Sequence, residues 1–141
     1  MIHNIQAIQV EALWFPLVKK FYQAYYPSGK PNKADPIWVL KDGAAIIASV
    51  RLKPLTSCQL LTALVTHPDF RQQGYASHLM SDLRPQLNQP TYCFNTPDLQ
   101  HFYERHGFTP IEAEELPCEL ASRLKRYRVK QPSLIAMAYL P

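Results

Sequence analysis

The stretch QLLTALVTHPDFRQQGYASHLM, from Gln59 to Met80, constrains the fold more than any other part of the chain. Its first third is apolar on nearly every residue, a pattern that suits a strand buried on both faces. A proline and a polar run then stop the strand. Gly74 stands directly before a segment in which Ala76, Leu79, Met80, Leu83 and Leu87 form one helical stripe. The chain has four glycines against thirteen prolines, so a glycine at this junction is a specific choice. A further short apolar run, TYCF, follows the helix, and the crossover from Leu60 to Phe94 should make its two strands parallel.

The flanking segments fill out the architecture. Trp14, Leu17, Val18, Phe21, Tyr22 and Tyr25 follow the spacing of an amphipathic helix, with Pro16 confined to the first turn. PSGKPNKADP, Pro27 to Pro36, reads as a surface loop. IWVL and AAIIASVRL, separated by Lys41-Asp42-Gly43, read as a hairpin. Pro85 ends or kinks the central helix. Thr96-Pro97-Asp98 opens another helix with a capping hydroxyl, a first-turn proline and an early acid. Leu99, Phe102, Tyr103 and His106 are its apolar stripe, and Gly107 its stop. A last helix is expected from about Pro117 to Tyr127, and SLIAMAYL is a closing strand. The expectation is an α/β (α+β) fold: a mixed sheet flanked by helices.

Composition narrows the functional classes. The 141 residues fit one domain, residues 1–141, with a single sizeable core. Apolar residues make up 47% and charged ones 18%, which excludes general disorder. No apolar run approaches the roughly 18 residues of a membrane-spanning helix. The first residues lack a basic leader followed by an apolar stretch, so a cytoplasmic protein with no membrane partner is expected. Cys58, Cys93 and Cys118 are odd in number and form no CxxC pair. Three reduced, structural thiols are expected, with no metal site. The formal net charge of +4 suits an anionic ligand but is too mild to demand nucleic acid.

A buried strand, a polar turn and a helix opening at glycine can form a nest of free amides that holds a phosphate, with the helix dipole adding partial positive charge. Arg71 can add a cation at the rim. The same residues also suit a plain strand-to-helix turn. The P-loop pattern is absent, because its lysine and Ser/Thr are missing, and so is the first glycine of the dinucleotide fingerprint.

The wider spacing is more specific. LVTHPDFRQQGYA, Leu64 to Ala76, resembles the coenzyme A signature of the GNAT acetyltransferase superfamily. That signature runs strand, a residue before proline, proline, an aromatic, then Q/R-x-x-G-x-G/A, here Arg71-Gln72-Gln73-Gly74-Tyr75-Ala76. A second element, Asn95 to Phe108, is similar to the family's later helix, which ends in an aromatic, a tyrosine, a charged pair and Gly-Phe. The resemblance covers Ile37 to Phe108 well, and the N-terminal helix is compatible with it.

The resemblance implies a GNAT fold with a splayed sheet and an acetyl-CoA dependent N-acetyltransferase. The acceptor would be a primary amine of a small molecule or peptide. It implies that the main chain of Leu64, Val65 and Thr66 contacts pantetheine, that Arg71, Gln72, Gln73, Gly74, Tyr75 and Ala76 take the pyrophosphate, and that Tyr103 is a general acid. Tyr103 also lies on the apolar stripe, so a packing role competes. Asn95 resembles the family's cofactor-contacting asparagine but sits one residue farther from the tyrosine than usual. The family's frequent strand glutamate has no counterpart in CQLLTALVTH. His67 is the nearest titratable group, although a water chain or an acid from elsewhere is the preferred base. His101 and His106, flanking Tyr103, and His78 read as surface or packing residues.

That missing acid keeps a second class open, a catalytically weak coenzyme A-binding or nucleic-acid-associated module. A third is an acyltransferase for longer chains. The aromatics of the first helix could line an acceptor pocket for an aliphatic or cationic amine. Glu112, Glu114 and Glu115 could attract a cationic acceptor, or simply be a solvated turn. Arg123, Lys125, Arg126, Arg128 and Lys130 give the last helix a basic face, either solvated or set for phosphates. A homodimer is possible for a small member of this fold.

Overall fold

Residues 5–141 are described by the structure, a computed structural model. Strands β1 (Ile8–Gln9), β2 (Ile37–Asp42), β3 (Ala45–Pro54), β4 (Gln59–Thr66), β5 (Thr91–Asn95), β6 (Thr109–Ile111) and β7 (Ile135–Tyr139) form one sheet in the order β1-β2-β3-β4-β5-β7-β6. Only β4 and β5 run parallel; the other neighbours are antiparallel. Helices α1 (Phe15–Tyr25), α2 (Tyr75–Leu83), α3 (Gln100–Glu104) and α4 (Cys118–Lys130) flank it. The expected mixed α/β sheet is present, and it is splayed rather than closed.

Alternation along the strands divides the helices between two faces. Leu79, Met80 and Leu83 of α2 and Tyr103 of α3 pack with Ile47, Leu52 and Leu61 on one face. On the other, Val18, Phe21 and Tyr22 of α1 cover Ile46, Ala63 and Val65. Beyond them Leu120 and Leu124 of α4 cover Leu60, Tyr92, Ala136 and Ala138. Leu120 and Leu124 are almost fully buried, each contributing roughly 1.5–3 kcal/mol of transfer free energy. Glu119, Lys125, Arg126 and Lys130 of α4 are exposed.

Most expected elements are present, with corrections; α2 ends at Leu83, so Leu87 of its expected stripe lies beyond the helix. Lys41 and Asp42 belong to β2, so the hairpin turn is Gly43–Ala44. The Thr96 hydroxyl makes no capping bond; a 3-10 turn at Pro97–Leu99 precedes α3, which is only five residues long. Helix α4 runs on to Lys130, three residues past Tyr127, because no breaker intervenes. Strands β1 and β6 were not expected at all. Of the thiols, Cys58 and Cys93 are buried, but Cys118 is exposed at the start of α4 and is not a core residue.

Strand β4 carries an irregularity that shapes everything downstream. Ser49 pairs with Val65 and Arg51 with Thr62, so Ala63 and Leu64 together face Val50. Ala63 adopts φ +59, a left-handed conformation that alanine rarely takes. Tyr22, 1% exposed, holds it there: its hydroxyl donates to the Ala63 carbonyl at 2.8 Å and shares a 2.9 Å hydrogen bond with the Ser49 hydroxyl. Such a bulge bends the strand and increases its twist. Tyr22→Phe should therefore cost about 1–3 kcal/mol, since the bulge carbonyl loses its buried donor. Urea denaturation measures this; a variant as stable as the parent would show that the bulge holds itself.

Candidate active site at the parting of two strands

Strands β4 and β5 pair at two positions, Gln59 with Thr91 and Leu60 with Tyr92, and then separate. Each is held by its other neighbour: β5 pairs with β7 from Thr91 to Asn95, and β4 with β3 up to Thr66. The closed end is pinned by Gln59, 6% exposed, whose amide nitrogen donates to Thr91 Oγ1 at 2.9 Å and to the Gln86 carbonyl at 3.0 Å. Past this pin a cleft of about 540 Å³ opens, within the size range of ligand sites. Leu60 to Leu64 form one wall and Phe94, Asn95 and Thr96 the other. Tyr103 and Leu99 also line it, as do Tyr26 and Gly29 after α1 and Arg126 and Lys130 of α4.

Among the residues expected at the site, Leu64, Asn95 and Tyr103 share this cleft, whereas Val65, Thr66 and the 71–76 turn lie beyond it along the course of β4. Val65 is buried under α1. The Thr66 carbonyl accepts from Arg71 Nε at 3.2 Å, which folds the turn back against the strand end. Gln73 donates from Nε2 to the Asp69 carbonyl at 3.2 Å.

Two departures from ordinary backbone, one residue apart, build the turn, Gln72 at φ +61 and Gly74 at φ +84. Gly74 then caps α2, which its buried Leu79, Met80 and Leu83 fix to the sheet. Among the described residues the amides of Gln72, Gln73, Gly74, Tyr75 and Ala76 have no acceptor. A Cβ placed on Gly74 would meet nothing within 4 Å. The turn is therefore an open concavity of free donors at the positive end of a helix, the arrangement that binds anions.

Tyr103 is 6% exposed, between Phe102 and Phe108, whose ring centroids lie at 5.1 and 5.8 Å in edge-on contact. Its hydroxyl makes no hydrogen bond among the described residues. Burial pushes its ionisation well above the ordinary phenol range, with Cys93 and Tyr26 adding to the effect. Asn95 is engaged locally: Nδ2 donates to the Thr96 carbonyl at 3.0 Å and Oδ1 faces Cys93 Sγ at 3.7 Å.

The four histidines among the described residues all have other partners. His67 Nδ1 accepts from the Asp69 amide at 3.0 Å, so its Nε2–H faces the Tyr25 hydroxyl at 2.9 Å, in a stack with Phe21 and Phe70. His101 meets Glu104 at 3.0 Å and His78 meets Asp82 at 3.3 Å. His106 contacts Ser77 Oγ at 3.1 Å; burial, then Arg105 and Arg84, hold its ionisation below the usual imidazole value. Glu112 and Glu115 cap a short turn, the Glu112 amide donating to Glu115 at 3.2 Å. No carboxylate or imidazole lines the cleft among the described residues.

Sequence reasoning missed Gln59, Ala63 and Arg51 as parts of the cleft. It saw Arg126 and Lys130 as a basic face but not as a wall. Their helical spacing with Tyr127, which also borders the cleft, was the available signal.

Among the described residues no helix is long and apolar enough to cross a membrane, and no group of three or more His, Cys, Asp or Glu is placed to hold a metal. No protein of curated function matches the chain in sequence. Solved structures with this fold include the N-acetylglutamate synthase of Neisseria gonorrhoeae, complexed with coenzyme A and N-acetyl-glutamate, at TM-score 0.69 and 16% identity. That match covers 99% of this chain but 35% of the synthase, most of which has no counterpart here. Escherichia coli ElaA matches at TM-score 0.71 and 14% identity, over 96% of this chain and 99% of that one. An acyl-CoA N-acyltransferase from Pseudomonas aeruginosa matches at 0.66 and 14%, over 96% and 98%. The acetyltransferase (GNAT) domain family matches residues 33–110, from the loop before β2 to β6, and the chain belongs to that family.

Proposed function

We propose that this protein transfers an acetyl group from acetyl-CoA to a primary amine of a small molecule or peptide by direct attack on the thioester. The observation that carries the reading is the parting of β4 and β5 after two paired residues, which leaves strand backbone and a buried tyrosine facing one cleft. Bound coenzyme A would supply the activated acyl group.

The chain's residues divide the work. The free amides of Gln72 to Ala76 suit the pyrophosphate, with the Arg71 cation at the rim and no side chain at Gly74 in the way. Main-chain groups of Leu64, Val65 and Thr66 follow along the strand toward the cleft and suit the pantetheine amides. An N–H there can polarise the thioester carbonyl as an oxyanion forms. Asn95, on the facing strand, can orient the arm. Tyr103 stays protonated at neutral pH and can donate to the departing sulfur.

The amine nitrogen bonds to the acyl carbon and the C–S bond breaks while the Tyr103 hydroxyl donates a hydrogen bond to the departing sulfur. The amine gives its proton to solvent, since no carboxylate or imidazole lines the cleft among the described residues, and solvent returns one to the thiolate, directly or through Tyr103, which ends the cycle protonated. Because α2 and Tyr103 sit on one face of the sheet and α1 and α4 on the other, donor and acceptor approach from opposite sides.

Thiol release with acetyl-CoA over a panel of primary amines tests the reading. Turnover of at least one amine is the expected result. Calorimetry that shows acetyl-CoA binding, with no amine consumed at any pH between about 7 and 9.5, would leave a binding module instead.

A further inference from the structure

The charged side chains lining the cleft among the described residues are all of one sign. Arg51, Arg126 and Lys130 line it, and no Asp or Glu does so among the described residues. Arg51 is partly compensated: its Nε lies 3.6 Å from Asp35 Oδ2, but Lys53 shares that carboxylate at 3.8 Å, and its Nη1 donates to the Lys30 carbonyl. Arg126 and Lys130 have no acidic or hydrogen-bonding partner among the described residues, although Arg123 and Arg128 of the same helix are engaged with Tyr127 and the Leu134 carbonyl. The C-terminal end of α4 contributes about half an elementary negative charge. That offsets a fraction of the cationic side chains. The expectation of an acidic cluster drawing in a cationic acceptor also loses its basis, because Glu112 and Glu115 are occupied with each other and Glu114 is not on the cleft.

From this wall, and resting on the reading of the cleft as an acyl-transfer site, we infer that the acceptor is a primary amine of amino-acid size that also carries an anionic group, carboxylate or phosphate, held by Arg126 and Lys130. Arginine suits this task because its planar fork matches both anions. The two cations belong to α4, on one face of the sheet, while Tyr103 packs on the other, so an anion anchored on α4 leaves the amine pointing into the cleft between them. Tyr26 and Tyr127 also line the cleft and offer apolar ring carbons to the connecting part of the acceptor. The same positive wall disfavours the ammonium form of the acceptor. That helps a site with no base of its own, since only the neutral amine attacks.

The test is thiol release with matched amine pairs at low ionic strength: phenylalanine against phenethylamine, lysine against cadaverine, and O-phosphoethanolamine against ethanolamine. The first two pairs read carboxylate and the third phosphate. The anionic member of at least one class should be favoured in kcat/KM by roughly 10- to 100-fold, the range expected for hydrogen bonds to a charged group. Added salt should shrink the ratio, because both cations are solvent-accessible. Arg126→Gln/Lys130→Gln should erase it while leaving acetyl-CoA affinity and the melting temperature unchanged.

Equal or better turnover of the decarboxylated and dephosphorylated members overturns the inference without touching the transferase reading. So does a double variant that keeps the preference. So does a protein that binds acetyl-CoA yet neither acetylates nor binds, by calorimetry with coenzyme A present, any anionic member. Failure of acetyl-CoA itself to bind is a different result, and it removes the transferase reading beneath.

Discussion

Tyr103→Phe is expected to lower kcat for thiol release by about 10²- to 10⁴-fold, the usual contribution of a positioned proton donor. The KM for acetyl-CoA should stay within a few fold. Packing and chemistry can be separated at this residue because its hydroxyl contributes nothing visible to the fold. The ring is held by Phe102 and Phe108, and phenylalanine keeps both contacts. The hydroxyl has no hydrogen-bond partner among the described residues, so its removal leaves no group unpaired and should cost less than about 1 kcal/mol. A packing role alone thus predicts an active variant.

The pH profile adds a second check. Burial raises the phenol's ionisation, so the donor remains protonated through and beyond the ordinary phenol value near 10. Wild-type turnover should rise as the acceptor amine deprotonates and show no alkaline decline through about pH 9.5 from this group. If Tyr103→Phe turns over at the parental rate, the acid is elsewhere.

The sequence made the pieces legible wherever a local rule and the tertiary structure agree. Val18, Phe21 and Tyr22 keep helical spacing because α1 has one face on the sheet. The mostly apolar run of β4 reflects helices on both sides of it. Where local rules and tertiary packing disagree, the residues are silent. Thr109-Pro110-Ile111 holds a proline and two exposed residues, yet it forms β6, because β7 offers it an antiparallel edge. Alanine gives no hint of the left-handed backbone at position 63, which exists because Tyr22 reaches across from α1 to hold the carbonyl.

The cleft was harder still. Its walls come from the loop after α1, from β3, β4 and β5, and from α4, so their neighbourhood follows from strand order. Strand β7 inserts between β5 and β6, which carries α4 across the face beside the splay and turns part of its basic face into a wall. Helical periodicity alone marks Arg126 and Lys130 as neighbours of Tyr127, not as neighbours of Leu64.

Gly74→Glu is expected to weaken coenzyme A binding by at least about 100-fold, beyond about 2.7 kcal/mol, while the protein remains folded. The backbone at φ +84 costs a residue with a side chain about 1–2 kcal/mol, a loss that a domain of this size tolerates. No clash adds to it, because the space over Gly74 is empty to 4 Å. That same emptiness is where phosphate oxygens would have to lie to reach the amides of residues 72–76. A carboxylate there occupies the volume, can accept from the same donors, and repels a dianion. Gly74→Gln separates these causes: it keeps the volume and strain but lacks the charge, so it should fall between Gly74→Glu and the parent. Helix opening provides no alternative explanation, since circular dichroism and the urea midpoint would register it. A plain strand-to-helix turn predicts that both variants lose only stability, and equal calorimetric affinity for coenzyme A across the three proteins would establish that the amide cradle binds nothing.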